Sequence, residues 1–181
     1  MVTRRQTLTL LGATLFLPKA AFASVSRAVS IAELIKASRN VLIGDAVDAF
    51  SRWETRDGQR RIVTYTRVLL SESVLGNADS ELLVRTLGGR VGKIGQIVHG
   101  EATLRVNERS LLFLHEADDV LRVTAMAQGH YRFDKDDKGI DRLRPSPRLG
   151  HLLRPQGSAV ERLTGRTLSE ARDLIVKANT R

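Results

Sequence analysis

Arg61-Ile62-Val63-Thr64-Tyr65-Thr66-Arg67-Val68-Leu69-Leu70-Ser71-Glu72-Ser73-Val74 is the stretch on which the fold turns. Its β-branched and aromatic content reads as one long strand. Val63, Tyr65 and Leu69 fall on odd positions, whereas Val68, Leu70 and Val74 fall on even ones. Side chains alternate strictly along a strand, so the apolar face must change sides near Arg67-Val68. A β-bulge or a sharp coil does this, and small barrels need such bends at their corners.

The neighbouring segments continue the β pattern. Upstream, a strand starts at Val41-Leu42-Ile43-Gly44 and runs on through Val47, Ala49 and Phe50, with Asp57-Gly58 as the turn. Downstream, Leu82 to Leu87 is a further strand closed by Gly88-Gly89, and Val91 to His99 reads as an irregular strand or loop. Arg109 to His115 contains Leu111-Leu112-Phe113-Leu114, too apolar for a half-exposed strand, which places it at the centre of a barrel. From Leu121 to Phe133 the odd positions are apolar or glycine and the even ones polar, Met126 excepted, which predicts one continuous strand bending at Gly129.

Helices are expected at the two ends. Ser30 and Glu33 make a capping box ahead of Ile31, Leu34 and Ile35; Thr167 and Glu170 make another ahead of the stripe Leu168, Ala171, Ile175 and Ala178. After Gly139 the strands are expected to stop, with Arg144-Pro145-Ser146-Pro147-Arg148 as an extended linker. The fold class that follows is mainly β: a small antiparallel OB-like barrel with a short N-terminal helix and a C-terminal helix. The organisation reads as a signal peptide over 1–23, a β-barrel domain over 24–141, and a basic, proline-containing extension with the C-terminal helix over 142–181.

That signal reading rests on Thr3-Arg4-Arg5, the apolar stretch Leu8 to Leu17, and Ala21-Phe22-Ala23 ahead of Ser24, with cleavage expected after Ala23. Thr3-Arg4-Arg5-Gln6-Thr7-Leu8 resembles the twin-arginine signal, although Thr7 stands where an apolar residue is usual. Either export route implies a periplasmic or secreted protein. The remaining 158 residues hold no cysteine, which excludes disulfides, thiolate metal sites, cysteine nucleophiles and a lipid-modified N-terminal cysteine. They also hold no second apolar run long enough for a membrane-spanning helix.

Charge is unevenly placed. Residues 24–141 carry 17 basic and 17 acidic side chains, whereas 142–181 carry 9 against 3. A neutral body with a basic end attracts acidic partners through its long-range field.

Leu87-Gly88-Gly89-Arg90-Val91-Gly92, Asn107-Glu108-Arg109-Ser110-Leu111-Leu112-Phe113-Leu114 and Ala127-Gln128-Gly129-His130-Tyr131 resemble the motifs of a family of uncharacterised exported bacterial proteins. Asn107 replaces that family's glycine, and both residue types accept a positive φ. The resemblance spans roughly Ile31 to Phe133 and implies a barrel similar to the netrin and metalloprotease-inhibitor modules. By fold analogy alone it implies an inhibitor or accessory protein of a secreted protease. Those inhibitors act through an N-terminal cysteine, which this chain lacks.

The residues themselves offer little catalytic chemistry. His99, His115, His130 and His151 are isolated and read as solvated or edge histidines, His130 on the polar face of its strand. Asp134 to Gly139 begins like a calcium loop, but Lys138 and Pro145 stand where ligands belong, so a charged turn is expected. Gly88 to Gly95 lacks the spacing and the following helix of a phosphate loop. There is no nucleophile elbow. Tyr65, Phe113, Tyr131 and Phe133 lie in apolar register, leaving Trp53 as the exposed aromatic, so no nucleic-acid partner is expected. The expectation is a non-enzymatic binding module without cofactor or metal. Arg90 and Lys93 on the glycine-rich rim and Arg144, Arg148 and Arg154 in the extension would contact an unknown protein or an acidic envelope surface.

Overall fold

The computed structural model describes residues 25–56 and 58–180. Arg4, Arg5 and the Ala23 cleavage position lie outside the described residues, as do Ser24, Asp57 and Arg181. A short strand, β1 (Val25–Arg27), leads into helix α1 (Ile31–Ala37). The capping box is formed: Glu33 N–H donates to Ser30 Oγ, and Ser30 N–H donates to the Glu33 carboxylate. Ile31 and Leu34 are buried and Ile35 packs beside them, as their shared face requires.

Strands β2 (Asn40–Arg56) and β3 (Gln59–Leu75) form a long hairpin, turned at Gly58 with φ +71. The change of face lies where the sequence puts it. Ala46 pairs with Val68 and Asp48 with Arg67, leaving Val47 as the extra residue of a bulge. Two further slips, at Ser71 and Val74 of β3, bend the hairpin again. Strand β4 (Glu81–Leu87) pairs with β3, and β5 (Gly89–Val91) and β6 (Ile94–Gln96) form a small hairpin where only an irregular strand or loop was expected. Strand β7 (Arg109–Ala117) buries Leu111 to Leu114 completely and pairs with β2, β8 (Val120–Val123) and β9 (His130–Lys135). Asn107, just before β7, has φ 66, a left-handed conformation that asparagine accepts.

The sheet curls because β8 pairs both with β7 and, in parallel, with β4. The β4–β8 contact is two pairs long, Val84 with Leu121 and Arg85 with Arg122, so the barrel is not closed. The class is mainly β, but the purely antiparallel expectation is corrected by this contact and by a second parallel pair described below.

Three other expectations change. The run Leu121 to Phe133 is two strands, not one. Ala125 and Met126 adopt left-handed φ values of 51 and 56, and a 3₁₀ turn (Met126–Gly129) carries the chain to β9. The interruption from Thr124 to Gly129 spans an even number of residues, so the odd–even pattern continues across a break it cannot reveal. Gly129 is nevertheless the point where two backbones meet: a Cβ there would lie 2.2 Å from the Thr124 carbonyl oxygen.

Strands also continue beyond Gly139. β10 (Asp141–Pro145) extends the sheet beside β9, and β11 (His151–Leu153) pairs in parallel with β1. The turn between β9 and β10 is the expected charged one, with Asp136 accepting from Lys138 and Ile140 N–H. Finally, His130 is fully buried rather than solvated. The register of β9 turns it inward, where it lies 3.1 Å from Ser110 Oγ through Nε2 and 3.0 Å from Ser146 Oγ through Nδ1.

Helices α2 (Ala159–Leu163) and α3 (Leu168–Asn179) follow, the second opened by the expected Thr167–Glu170 capping box. One apolar cluster joins Ile31 and Leu34 of α1 to Val41, Ile43, Leu111, Phe113, Tyr131, Leu143, Leu163, Ala171 and Ile175. The basic extension is therefore not a loose appendage; its apolar residues help build this core. A second cluster gathers Leu42, Val68, Leu82, Val84, Leu112, Leu114 and Val123, with Ala102 from the segment before β7.

Candidate functional site

The glycine-rich rim is the β5–β6 hairpin, seated against the long hairpin. Thr64 Oγ1 donates to Gly88 O at 2.7 Å, Arg90 N–H donates to Ser51 Oγ at 3.3 Å, and Ile62 N–H donates to Gln96 Oε1 at 2.6 Å. A Cβ on Gly89 would stand 2.2 Å from Thr64 Oγ1 and 2.4 Å from Ser51 Oγ, so glycine is what permits this seat. Arg90 and Lys93 are both exposed, and the Arg90 Nε–H folds back onto Gly92 O at 3.0 Å. Ile94 and Ile97, 56% and 63% exposed, add apolar surface beside them.

Arg144, Arg148 and Arg154 are exposed too. Arg144 lies on β10 opposite Arg132. Gly100 N–H donates to Arg148 O at 3.1 Å and Thr103 N–H donates to Ser146 Oγ at 3.2 Å, which ties the extension to the segment that follows the rim. None of the five forms an ion pair with a described residue. By contrast Arg142 pairs with Asp136 and Glu170, and Arg166 with Glu170.

A second feature was not found from the sequence. A hollow of about 250 Å³ lies where β4 meets β8, lined by Arg85 and Leu87 of β4, His115 of β7, Arg122 and Val123 of β8, Ala125, Met126 and Glu101. Register brings its polar side chains into one row. Arg85 pairs with Arg122, and Arg122 pairs with His115. Residues directly opposite share a face of the sheet.

Each charge here is set by its neighbours. Arg85 is only 5% exposed and spends Nε and Nη2 on Glu54 Oε2, at 3.1 and 2.8 Å. Glu54 also accepts from Tyr65 OH at 2.7 Å and from Arg52. Burial alone would raise the Glu54 carboxyl, but the hydrogen bonds from Tyr65, Arg85 and Arg52 outweigh it and hold it down at about 2. Arg122 donates through Nη2 to Asp118 at 2.7 Å, while its Nε is buried with no partner. Burial, then the Arg122 charge, lowers His115 below the ordinary imidazole value. Glu101 is buried and its carboxyl is raised by burial, opposed by hydrogen bonds from Ala102 and Leu87 N–H.

The one signal that could have pointed here is Arg85 itself, a cation within Leu82-Leu83-Val84-Arg85-Thr86-Leu87. A charge inside an apolar strand must find a partner. Its partner Glu54, 31 residues away, belongs to no motif with it. Among the described residues no group of three or more His, Asp or Glu side chains could hold a metal ion.

No family model matches this chain, and neither a curated protein nor a solved structure does.

Proposed function

We propose that this protein is an exported, non-enzymatic binding module on an OB-type barrel, and that its contact surface for an acidic partner comprises Arg90, Lys93, Arg144, Arg148 and Arg154. The supporting observation is that all five are exposed and none is neutralised by a described acidic residue, although twelve other basic side chains of the described chain are. Other exposed cations, Lys36, Arg105 and Arg162 among them, also lie outside the ion pairs; these five are set apart by their place on the rim and the extension, open to an acidic envelope surface or an acidic protein. The β1–β11 pairing and the shared core hold the extension in place, so its arginines meet a partner from a fixed backbone.

The test uses immobilised full-length protein and heparin as a soluble polyanion, with salt varied. Binding should weaken steeply as salt rises. Charge reversal at Arg144, Arg148 and Arg154, and separately at Arg90 and Lys93, should each weaken it about tenfold or more. Equal retention of heparin by all three proteins would refute the assignment.

A further inference from the structure

Beyond the proposed polyanion contact, we infer that the hollow between β4 and β8 is a binding site for a small organic carboxylate with an apolar body. Four observations carry this. First, register sets Arg85 of one strand opposite Arg122 of the other across the β4–β8 seam, and both side chains line the hollow. Glu54 and Asp118 each engage one of them, and an anion placed between two guanidinium groups is attracted by both. Second, the buried Arg122 Nε–H lacks an acceptor. An unsatisfied buried donor is expensive, and a carboxylate can take Nε–H and an Nη–H together.

Third, the other half of the lining is apolar: Leu87, Val123, Ala125 and Met126. A free phosphate or sulfate would leave that half unused. Fourth, the size fits. A cavity of about 150 Å³ holds benzene, so at the same density the 250 Å³ hollow holds about ten non-hydrogen atoms. Benzoate has nine.

Of the nearby carboxylates, Glu101 alone lines the hollow. Glu54 is fully engaged by Arg52, Tyr65 and Arg85, and Asp118 by Arg56 and Arg122. The Glu101 carboxylate accepts from Ala102 N–H; burial raises it, and the backbone hydrogen bonds and the Arg85 and Arg122 charges oppose that rise. His115 Nδ1 lies 3.4 Å from Thr124 Oγ1. The left-handed pair Ala125-Met126 holds Met126, 39% exposed, over the lining. Consecutive non-glycine residues in that conformation are strained, and such strain collects at ligand sites.

Titration of the full-length protein with benzoate, benzamide and inorganic phosphate, followed by ¹H–¹⁵N spectra that include the arginine Nε–H signals, tests this. Benzoate should saturate with a Kd below about 1 mM, shifting the Arg122 Nε–H and the His115 ring signals. Benzamide, which has the same shape without the charge, should bind about tenfold weaker or less tightly still. Arg122→Gln should cost benzoate about tenfold and leave benzamide unchanged, with Arg122→Lys intermediate. Three results would each overturn the inference: no saturation at about 10 mM benzoate, equal affinity for benzamide, or phosphate binding more tightly than benzoate. The wild-type shifts decide the matter even where a variant fails to fold. Loss of heparin binding in the rim and extension variants bears only on the other surface.

Discussion

Acid should destabilise this protein through His130, and replacement by glutamine should remove most of that sensitivity. The imidazole is fully buried between the Ser110 and Ser146 hydroxyls, and burial, with a smaller effect of the Arg132 charge, lowers it from 6.5 to about 4. The folded protein therefore resists a proton that the unfolded chain takes up near 6.5. Between those two values the unfolded state binds more protons, so stability falls as pH falls. The full difference of 2.5 units is worth about 3 kcal/mol, and about 2 kcal/mol of it is lost between pH 7 and pH 4.5. His115 is lowered as well and adds loss in the same direction, whereas Glu101, raised by burial, regains stability as pH falls. Both groups remain in His130→Gln, so the comparison isolates His130. Denaturant unfolding of wild type and variant at pH 7 and pH 4.5 gives the four numbers required. The variant should be less stable at pH 7 by about 2 kcal/mol, because two buried hydroxyls lose their partner. The gap should nearly close at pH 4.5. An equal acid loss in both proteins would refute the reasoning, and so would a His130 NMR titration midpoint near 6.5.

Two further substitutions probe the fold around the hollow. Gly129→Ala places a Cβ against the Thr124 carbonyl oxygen and should cost about 2 kcal/mol or more in denaturant unfolding; a neutral result would mean that the two backbones separate freely. Glu54→Gln leaves the nearly buried Arg85 without its counter-charge and should cost about 3 kcal/mol at pH 7. Because the Glu54 carboxyl sits at about 2 in the fold against 4.5 unfolded, wild type gives up its contribution as pH falls below 4.5, and the gap to Glu54→Gln should narrow by about 2 kcal/mol at pH 3. A constant gap would show that Glu54 titrates normally.

The fold was legible wherever a local rule has one structural answer. Both capping boxes, the buried Leu111 to Leu114 strand and the bulge opposite Arg67-Val68 follow from spacing alone. Legibility ended where a local pattern has two answers. The alternation from Leu121 to Phe133 survives the left-handed turn at Ala125-Met126 because an even number of residues is spent there. Strand β10 ends in Pro145 and β11 is only three residues long, and their pairing with β9 and β1 is what makes them strands. His130 looked polar by parity and is buried, because two distant serines, Ser110 and Ser146, satisfy it. The excess of basic charge over 142–181 was readable from composition. The hollow was not, since Arg85, Glu101, His115 and Arg122 converge through register and not through sequence proximity.

The incomplete barrel and the hollow have one physical cause. A five-strand ring closes when its last two strands can pair along their length. Here that seam is β4 with β8, and its two pairs set Val84 beside Leu121 and Arg85 beside Arg122. The first pair is an ordinary apolar contact and belongs to the second core. The second opposes two cations, which no continuation of the ladder can stabilise. Each arginine instead turns to a carboxylate carried elsewhere, Arg85 to Glu54 of β2 and Arg122 to Asp118 of the β7–β8 turn. Those pairings engage the two guanidinium groups on separate carboxylates, and the chain beyond β8 departs at once into its left-handed turn. The space left between is the hollow. Replacing both arginines with apolar residues should therefore lengthen the seam and erase the site together, so stability and binding at this position are set against each other by the same two side chains.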